Sequence, residues 1–407
     1  MKIAVITSGF LPVPPTKGGA VENLLYNLIR ENEKKKNLKF EIFSVWDEKA
    51  EKVSREYKST TYQFIKINKL ICVLDKLMFL IAKNILRKEN SQSYRYIFQR
   101  LYYLNKCSKL LKSNDYDKVL LENHPTQYLA LKWRKNYLKY TGRYYYHCHN
   151  EFPSTYGCDE IIRNTKKIIC VSQFIADSIS KILDIPKQKF VVLRNCIDTS
   201  RFSKNISNEE KNELRKKYSI EEKNKILLFT GRIVPEKGVK ELVEALKNVK
   251  EKNYKLLILG SALSELEAKT EYQEKIENIV NTISDKIIFT GFIKYEEINK
   301  FYSLADIAVL PSIWDDPAPL TIIEALVSGL PIITTNSGGI PEYAVEGSAI
   351  IIDRNKEIVK ELSENIDLII NNDKKLEEMS KIAKKVSKDL TLNNYYLNFE
   401  KIMKDDN

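Results

Sequence analysis

Two cations and two carboxylates in the last half of the chain are spaced to hold an anionic group. Arg232 and Lys237 lie in Gly231-Arg232-Ile233-Val234-Pro235-Glu236-Lys237-Gly238, directly after the strand-like run Ile226–Thr230. A guanidinium offers a planar fork and an ammonium a point charge, and both suit a diphosphate. The bland reading of the pair is a surface salt bridge. Further on, Pro311-Ser312-Ile313-Trp314-Asp315-Asp316-Pro317-Ala318-Pro319-Leu320-Thr321 runs from a strand through a polar loop into a helix that begins near Leu320. The free amides of a helix start add to the two cations. Glu324 follows Asp316 by eight residues, about two helical turns if helix runs throughout. The two carboxylates then bracket a ligand lying across the helix N-terminus. Thr335-Asn336-Ser337-Gly338-Gly339-Ile340-Pro341-Glu342 repeats the strand, Gly-Gly, helix device.

The first half offers a different chemistry. Its opening loop, Ser8 to Ala20, carries three prolines and Gly18-Gly19 just before a helical pattern, where backbone can approach a phosphate closely. No GxGxxG is present, so a nicotinamide-type fingerprint is absent. All three histidines fall between 124 and 149. His124 follows one strand candidate, while His147 and His149 end another, so all three are expected near one cleft edge. His147-Cys148-His149 offers metal ligands at alternate positions, but no regular set of four ligands accompanies it, and no metal is assigned. The alternative for His147 is a satisfied structural histidine. Asp115-Tyr116-Asp117 has the Asp-x-Asp form of a metal site, yet it precedes its strand, at the amino end, and reads as a turn.

These residues require parallel strands with loops at their carboxyl ends. Short runs rich in Ile and Val supply them: Ile3–Thr7, Phe40–Val45, Val119–Glu122, Arg143–Tyr146, Lys167–Val171 and Phe190–Arg194, then Ile226–Thr230, Lys255–Leu259, Lys286–Thr290, Ile307–Leu310, Ile332–Thr335 and Ile350–Ile352. Such runs suit strands buried on both faces. Between them lie helical patterns, as at Val21, Leu24, Leu25, Leu28 and Ile29. Two β-α series in succession predict an α/β fold of two doubly wound, Rossmann-like domains with a cleft between them. The first spans 1–196 and the second 197–387. A helix near 388–407, with apolar Leu392, Tyr396, Phe399 and Ile402, is expected to pack back on the first domain. Asp198–Lys225 reads as a linker with a surface helix.

At 407 residues, 43% hydrophobic and 29% charged, the chain is a globular protein of two ordinary domains. Met1-Lys2 runs into a strand pattern rather than a signal peptide. The longest apolar runs, such as Leu77–Ala82, are far short of the roughly 20 residues that cross a bilayer. Six cysteines without a CxxC pair read as reduced cytoplasmic thiols. The net charge of +12 is uneven. Residues 1–200 hold 35 Lys and Arg against 19 Asp and Glu, and residues 51–143 alone hold 20 against 7. That region interleaves Tyr94, Tyr96, Phe98, Tyr102, Tyr103, Leu110 and Leu111 with its basic residues. It is read as a face for an anionic membrane or a polyanionic acceptor, with solvated helix faces as the alternative. No nucleic-acid motif accompanies the charge, so nucleic acid is not expected as a partner. The protein is placed in the cytoplasm, at the inner face of the plasma membrane.

Across nearly its whole length the chain resembles glycosyltransferase family 4, a large retaining family of GT-B fold. The likeness rests on the early Gly-Gly loop, Asn195-Cys196-Ile197-Asp198, Gly231-Arg232 through Lys237-Gly238, Gly291-Phe292-Ile293, Pro311-Ser312, and Asp316 through Glu324. Asn123-His124 and His149-Asn150 resemble signatures of polysaccharide-building members, spore-coat and capsule types among them. The resemblance implies a metal-independent, hexosyltransferase-like enzyme with no cofactor. Its co-substrate is a nucleotide-diphosphate sugar, UDP-linked, and its acceptor a saccharide or a lipid-linked acceptor. Arg232 and Lys237 would hold the diphosphate, with Gly18 and Gly19 supporting it. Glu324 would bond the ribose hydroxyls. Asp316 would grip the transferred sugar, with His149 or His124 beside it, and Ile293, Leu320 and Thr321 would complete the donor site. The family usually has Glu where Asp316 stands, whose task Asp315 would then share, Gly where Pro319 stands, and Gly where Cys196 stands. A nucleotide-sugar epimerase or hydrolase, and a non-catalytic binding scaffold, are the alternative readings.

Overall fold

The structure, a computed structural model, describes residues 1–85, 95–204, 206–260 and 271–405. Two compact units account for it: Met1–Arg194 with Tyr395–Asn407, and Asn195–Asn394. The division falls two residues earlier than the composition shift suggested. The returning segment begins at Tyr395, rather than at 388.

In the first unit seven strands form one parallel sheet. They are β1 (Lys2–Ile6), β2 (Lys39–Val45), β3 (Thr60–Ile65), β4 (Lys118–Glu122), β5 (Tyr144–Cys148), β6 (Ile168–Cys170) and β7 (Phe190–Val192), in the order β3-β2-β1-β4-β5-β6-β7. Ile3, Ala4, Val5 and Ile6 are completely buried, as central parallel strands covered on both faces must be. The helix Ala20–Lys35 buries Leu24, Leu25, Leu28 and Ile29, the expected stripe. The last helix, Leu392–Lys404, docks here through buried Tyr396, Phe399 and Met403. Tyr396 donates its hydroxyl to Asn32 Oδ1 at 2.8 Å, and the Lys118 ammonium reaches the Met403 carbonyl at 2.6 Å. β3 was not anticipated. Its sequence, Thr-Thr-Tyr-Gln-Phe-Ile, mixes polar and apolar residues because it is an edge strand, only partly covered.

The second unit has six parallel strands: β8 (Lys225–Thr230), β9 (Tyr254–Leu259), β10 (Ile287–Gly291), β11 (Ile307–Leu310), β12 (Ile332–Thr335) and β13 (Ala349–Ile352). Their order is β10-β9-β8-β11-β12-β13. Asp198–Lys225 belongs to this unit and includes a helix, Asn208–Lys217, with no buried residue.

Both sheets reverse direction once, between β1 and β4 and between β8 and β11. At such a switch point the loops on either side lead away from each other and leave a crevice beyond the strand ends. The fold therefore fixes two places to look: the loops after β1 and β4, and those after β8 and β11.

No described helix is long and apolar enough to cross a membrane. All six cysteines are free thiols, five of them buried.

Candidate active site

In the first unit the switch point gathers the Gly18-Gly19 loop, Glu122 and the histidines. Glu122 ends β4 and is paired in register with His147 on β5. Its Oε1 lies 2.8 Å from His147 Nδ1 and 2.9 Å from His149 Nε2. All three side chains are buried. Burial works against the Glu122 charge, but the two imidazoles hold the carboxyl well below its ordinary range, down to about 2. His149 is pushed down to about 4 by burial and by His147, against the pull of Glu122. It is therefore a neutral imidazole at pH 7. An ionised carboxylate only accepts, so His149 carries its proton on Nε2 and presents Nδ1 as an acceptor. The three ligand atoms lie within 4.8 Å of one another and form a set that could hold an ion. His149 Nε2 hydrogen-bonds Glu122 Oε1, whereas His147 Nδ1 lies close to it without hydrogen-bond geometry.

His124 is differently placed. Arg100 Nη1 sits 2.8 Å from its Nε2, and Thr126 Oγ1 2.8 Å from its Nδ1. A guanidinium only donates, so Nε2 faces a donor, and Nδ1 is met by both the hydroxyl and the backbone amide of Thr126, the amide at 3.3 Å. Burial and Arg100 push the ring down to about 3. Both nitrogens are thus engaged inside the unit, and of the two candidate histidines only His149 keeps an open ring nitrogen among the described residues.

Gly18 and Gly19 have φ of 77° and 102°. A Cβ on Gly19 would lie 2.2 Å from Glu22 Oε2 and 2.8 Å from Leu11 Cδ1. The glycine thus makes room for Glu22, which lies in the first turn of the helix Ala20–Lys35 and accepts from Ser8 Oγ at 2.8 Å. The sequence reading expected this helix start to be open to a phosphate. Instead it already has a carboxylate, whose pKa burial raises.

In the second unit the loops after β8 and β11 meet. Lys237 reaches Asp316 Oδ2 at 2.6 Å, and Asp316 Oδ1 accepts from the Ala318 amide at 3.3 Å. Asp316 is buried, whereas Arg232 is exposed and has no hydrogen bond or ion pair with another described residue. Asp315 turns to different partners from those of Asp316. Its Oδ1 is held by the Gly338 amide at 2.9 Å and Arg354 Nη2 at 2.6 Å. The 335–339 loop is likewise a clamp rather than a second phosphate cradle. A Cβ on Gly338, φ 56°, would meet Asp315 C at 2.6 Å and Asp316 O at 2.7 Å. The Gly339 amide donates to Asp316 O at 2.9 Å.

The helix that follows spans Leu320–Val327, so Asp316 lies in the loop before it and not on an earlier turn. Pro319 is its N-cap, extended and without an N–H. The amides of Leu320 and Thr321 have no acceptor among the described residues, as expected for a first turn. A small pocket is lined by Thr230, Lys237, Ser312, Asp316, Pro319 and Thr321, among others. Glu324, one turn into the helix, is buried, and its Oε2 accepts from the Tyr302 hydroxyl at 2.8 Å. Tyr302 is in turn 2.7 Å from Thr230 Oγ1. Burial pushes the Glu324 carboxyl up to about 7, against the hydrogen bonds of Tyr302 and Tyr295 and the charge of Arg201. Ile293 is partly buried against the core of this unit. Sequence reading missed Glu122, Glu22 and Tyr302: Glu122 meets His147 only through strand register, Tyr302 meets Glu324 from a separate helix, and Glu22 has the look of an ordinary first-turn acid.

Asp115 and Asp117 are both used elsewhere, at the amino end of the sheet. Asp115 pairs with Lys139 at 2.9 Å, and Asp117 Oδ2 accepts from the Lys2 amide at 2.6 Å.

Comparison with known proteins identifies the family and the fold. The family described as Glycosyl transferases group 1 matches residues 210–386, and Glycosyltransferase Family 4 matches residues 78–201. Spore coat protein SA of Bacillus subtilis is 24% identical over 95% of this chain and 94% of its own. An uncharacterized glycosyltransferase of Methanocaldococcus jannaschii is 29% identical over 47% of this chain and 46% of its own. For the lipopolysaccharide 1,2-N-acetylglucosaminetransferase of Salmonella typhimurium the values are 28%, 49% and 51%. The match thus spans about half the length of these last two relatives. Among solved structures, Anabaena HepE in complex with UDP superposes with a TM-score of 0.74 at 15% identity, over 99% of each chain. The chain belongs to glycosyltransferase family 4 and is a glycosyltransferase of GT-B fold.

Proposed function

We propose that the protein moves a sugar, with retention of configuration, from a nucleotide-diphosphate donor to a hydroxyl of a saccharide or lipid-linked acceptor in surface polysaccharide synthesis. One observation carries this reading. At the switch point of the second sheet, the Lys237 ammonium and the start of the Leu320–Val327 helix, whose first two amides have no acceptor among the described residues, line one pocket with a buried acid, Asp316, while Arg232 follows β8 with no ion pair among the described residues. Such a set fits a diphosphate that gains charge as it leaves.

In this reading Arg232, Lys237 and the Leu320 and Thr321 amides hold the diphosphate. Lys237 has three donors and can reach phosphate without releasing Asp316. Asp316 accepts hydroxyls of the transferred sugar, and Glu324 accepts those of the ribose. His149 Nδ1 is an acceptor for a sugar hydroxyl. The sugar–phosphate bond breaks with its electron pair going to the diphosphate. The acceptor oxygen bonds to the same carbon and gives its proton to a donor phosphate oxygen. No metal is assigned a part in these steps. UDP is the favoured carrier nucleotide, since a fold neighbour, Anabaena HepE, was solved with UDP and glucose.

The test is a thermal-shift screen of UDP-, GDP- and ADP-sugars, followed by mass spectrometry of the hit with candidate acceptors. A new glycoside formed only when acceptor is present is expected. Release of free sugar, or an isomerised donor, without acceptor would assign a hydrolase or epimerase instead. Binding with no turnover over a broad acceptor panel would assign a scaffold. Lys237→Ala should lower turnover by about tenfold or more while leaving circular dichroism unchanged. Turnover close to that of the unmodified enzyme would remove Lys237 from the mechanism.

A further inference from the structure

The first unit carries an apolar surface unlike the rest of it. The helix Lys69–Leu80 exposes Leu70, Val73, Leu74, Leu77 and Leu80, and Ile81 continues the row. Leu70 is 71% exposed and the other five between 41% and 52%. At about 100° per residue, these six positions fall within an arc of roughly 120° on one side of the helix. Lys69, Lys76 and Lys83, seven residues apart, are exposed along one edge of that arc. Asp75 is the one acidic residue between Glu56 and Glu89. It points the other way, into the protein, where its carboxylate accepts from the Phe98 and Gln99 amides at 2.8 and 3.0 Å and caps the next helix, Ile97–Ser113.

The sequence reading placed an adhesive face over 51–143 on other aromatic and aliphatic residues. Of those, Tyr103 and Leu111 are buried, and Tyr94 lies outside the described residues, as do the other residues of 86–94. Tyr96 is exposed, but among the described residues the continuous apolar row along one helix face is 70–81.

We propose that the Lys69–Leu80 helix seats the protein on an anionic lipid bilayer. The leucine row enters the boundary between headgroups and acyl chains, and Lys69, Lys76 and Lys83 lie among lipid phosphates. Charge selects this occupant. The only carboxylate of the helix is withdrawn, and among the described residues 69–85 the exposed ionised groups are Lys69, Lys76 and Lys83. The helix is too short to span a bilayer and lies in its surface. The seating does not depend on which sugar is transferred.

The full chain is tested by co-sedimentation with vesicles of phosphatidylcholine alone and of phosphatidylcholine mixed with phosphatidylglycerol. Binding to the mixed vesicles, weakened by salt, is expected. The double variant Leu74→Glu, Leu77→Glu should lose about tenfold or more of that binding. The triple variant Lys69→Glu, Lys76→Glu, Lys83→Glu should lose the preference for phosphatidylglycerol. These side chains are exposed, so circular dichroism and Tm should stay unchanged in both. In a Leu74→Trp variant the introduced indole should be quenched by lipids brominated on the acyl chains. The proposal is overturned if no vesicle binds, if the leucine variant binds as tightly as the parent, or if the introduced indole is not quenched. It is also overturned if the leucine variant instead abolishes self-association in lipid-free sedimentation, which would assign the face to a second copy of the chain.

Discussion

At the scale of single residues, the feature with most consequence for catalysis is the hydrogen bond from His149 Nε2 to Glu122. It decides which face of the imidazole is an acceptor. Glu122→Gln keeps the shape but removes the charge, and the amide can donate as well as accept, so His149 can turn its proton to Nδ1. We expect kcat to fall by roughly tenfold to a hundredfold. The thermal shift caused by UDP should stay the same, because the proposed nucleotide contacts lie in the second unit. A charge that stabilises the imidazolium is also lost, so the acid limb of the kcat–pH profile should move to lower pH. A role in packing alone would lower Tm without moving that limb. The histidines were legible in the sequence as a cluster at strand ends. Their anchor was not, because Glu122 and His147 are 25 positions apart in the chain and meet only through the register of β4 with β5. Conversely, Arg232, Lys237 and Asp316 were legible, since each sits in a loop directly beyond a strand run. The Lys237–Asp316 pair was not, because no spacing rule joins residues on separate loops.

Among elements, the helix Leu320–Val327 sets the chemistry of Glu324 by burying it. A carboxyl raised from 4.5 to about 7 binds more protons folded than unfolded between those values. Stability from this group is therefore full below pH 4.5 and is lost as pH rises through about 7. Ribose hydroxyls donate, and so favour the ionised form. Donor affinity should then rise with pH, by up to about tenfold per unit below pH 7, and level off above it. Glu324→Gln should flatten this dependence in calorimetric titrations. A parent enzyme whose affinity is flat from pH 6 to 8, by about one unit either side of 7, would remove Glu324 from ribose binding. The start of this helix was readable to within a residue, because Pro317 and Pro319 hold the chain extended before it. The two-turn spacing of Asp316 and Glu324 fails for the same reason. Gly338→Ala tests the loop clamp: its Cβ would press on the Asp315–Asp316 backbone at a left-handed φ. A loss of about 1–3 kcal/mol is expected in denaturant unfolding, with weaker donor binding. Buried parallel strands announced themselves by continuous Ile and Val. β3 escaped because an edge strand has no such requirement.

For the whole molecule, the chain builds one core, then a second, and returns to the first with its last helix. The apolar spacing of that helix and its return to the first unit were both readable in the sequence, but its particular partners there, Asn32, Phe40 and Lys118, were not, since nothing local marks them. The return gives a prediction that separates the two units. Ending the chain at Asn394 removes buried Tyr395, Tyr396, Phe399 and Met403 from the first unit alone. Phe399→Ala is the milder probe, since Phe399 is fully buried against Phe40 at a ring separation of 6.2 Å. Deleting such a ring costs about 3–5 kcal/mol. Two transitions are expected in calorimetry, because each unit has its own core. UDP should raise the transition of the second unit, where the proposed diphosphate site lies. Both variants should lower the other transition, the truncation more than Phe399→Ala, and leave the UDP-sensitive one in place. If the UDP-sensitive transition falls instead, the last helix supports the second unit, and the assignment of the nucleotide grip to a unit independent of that helix is wrong.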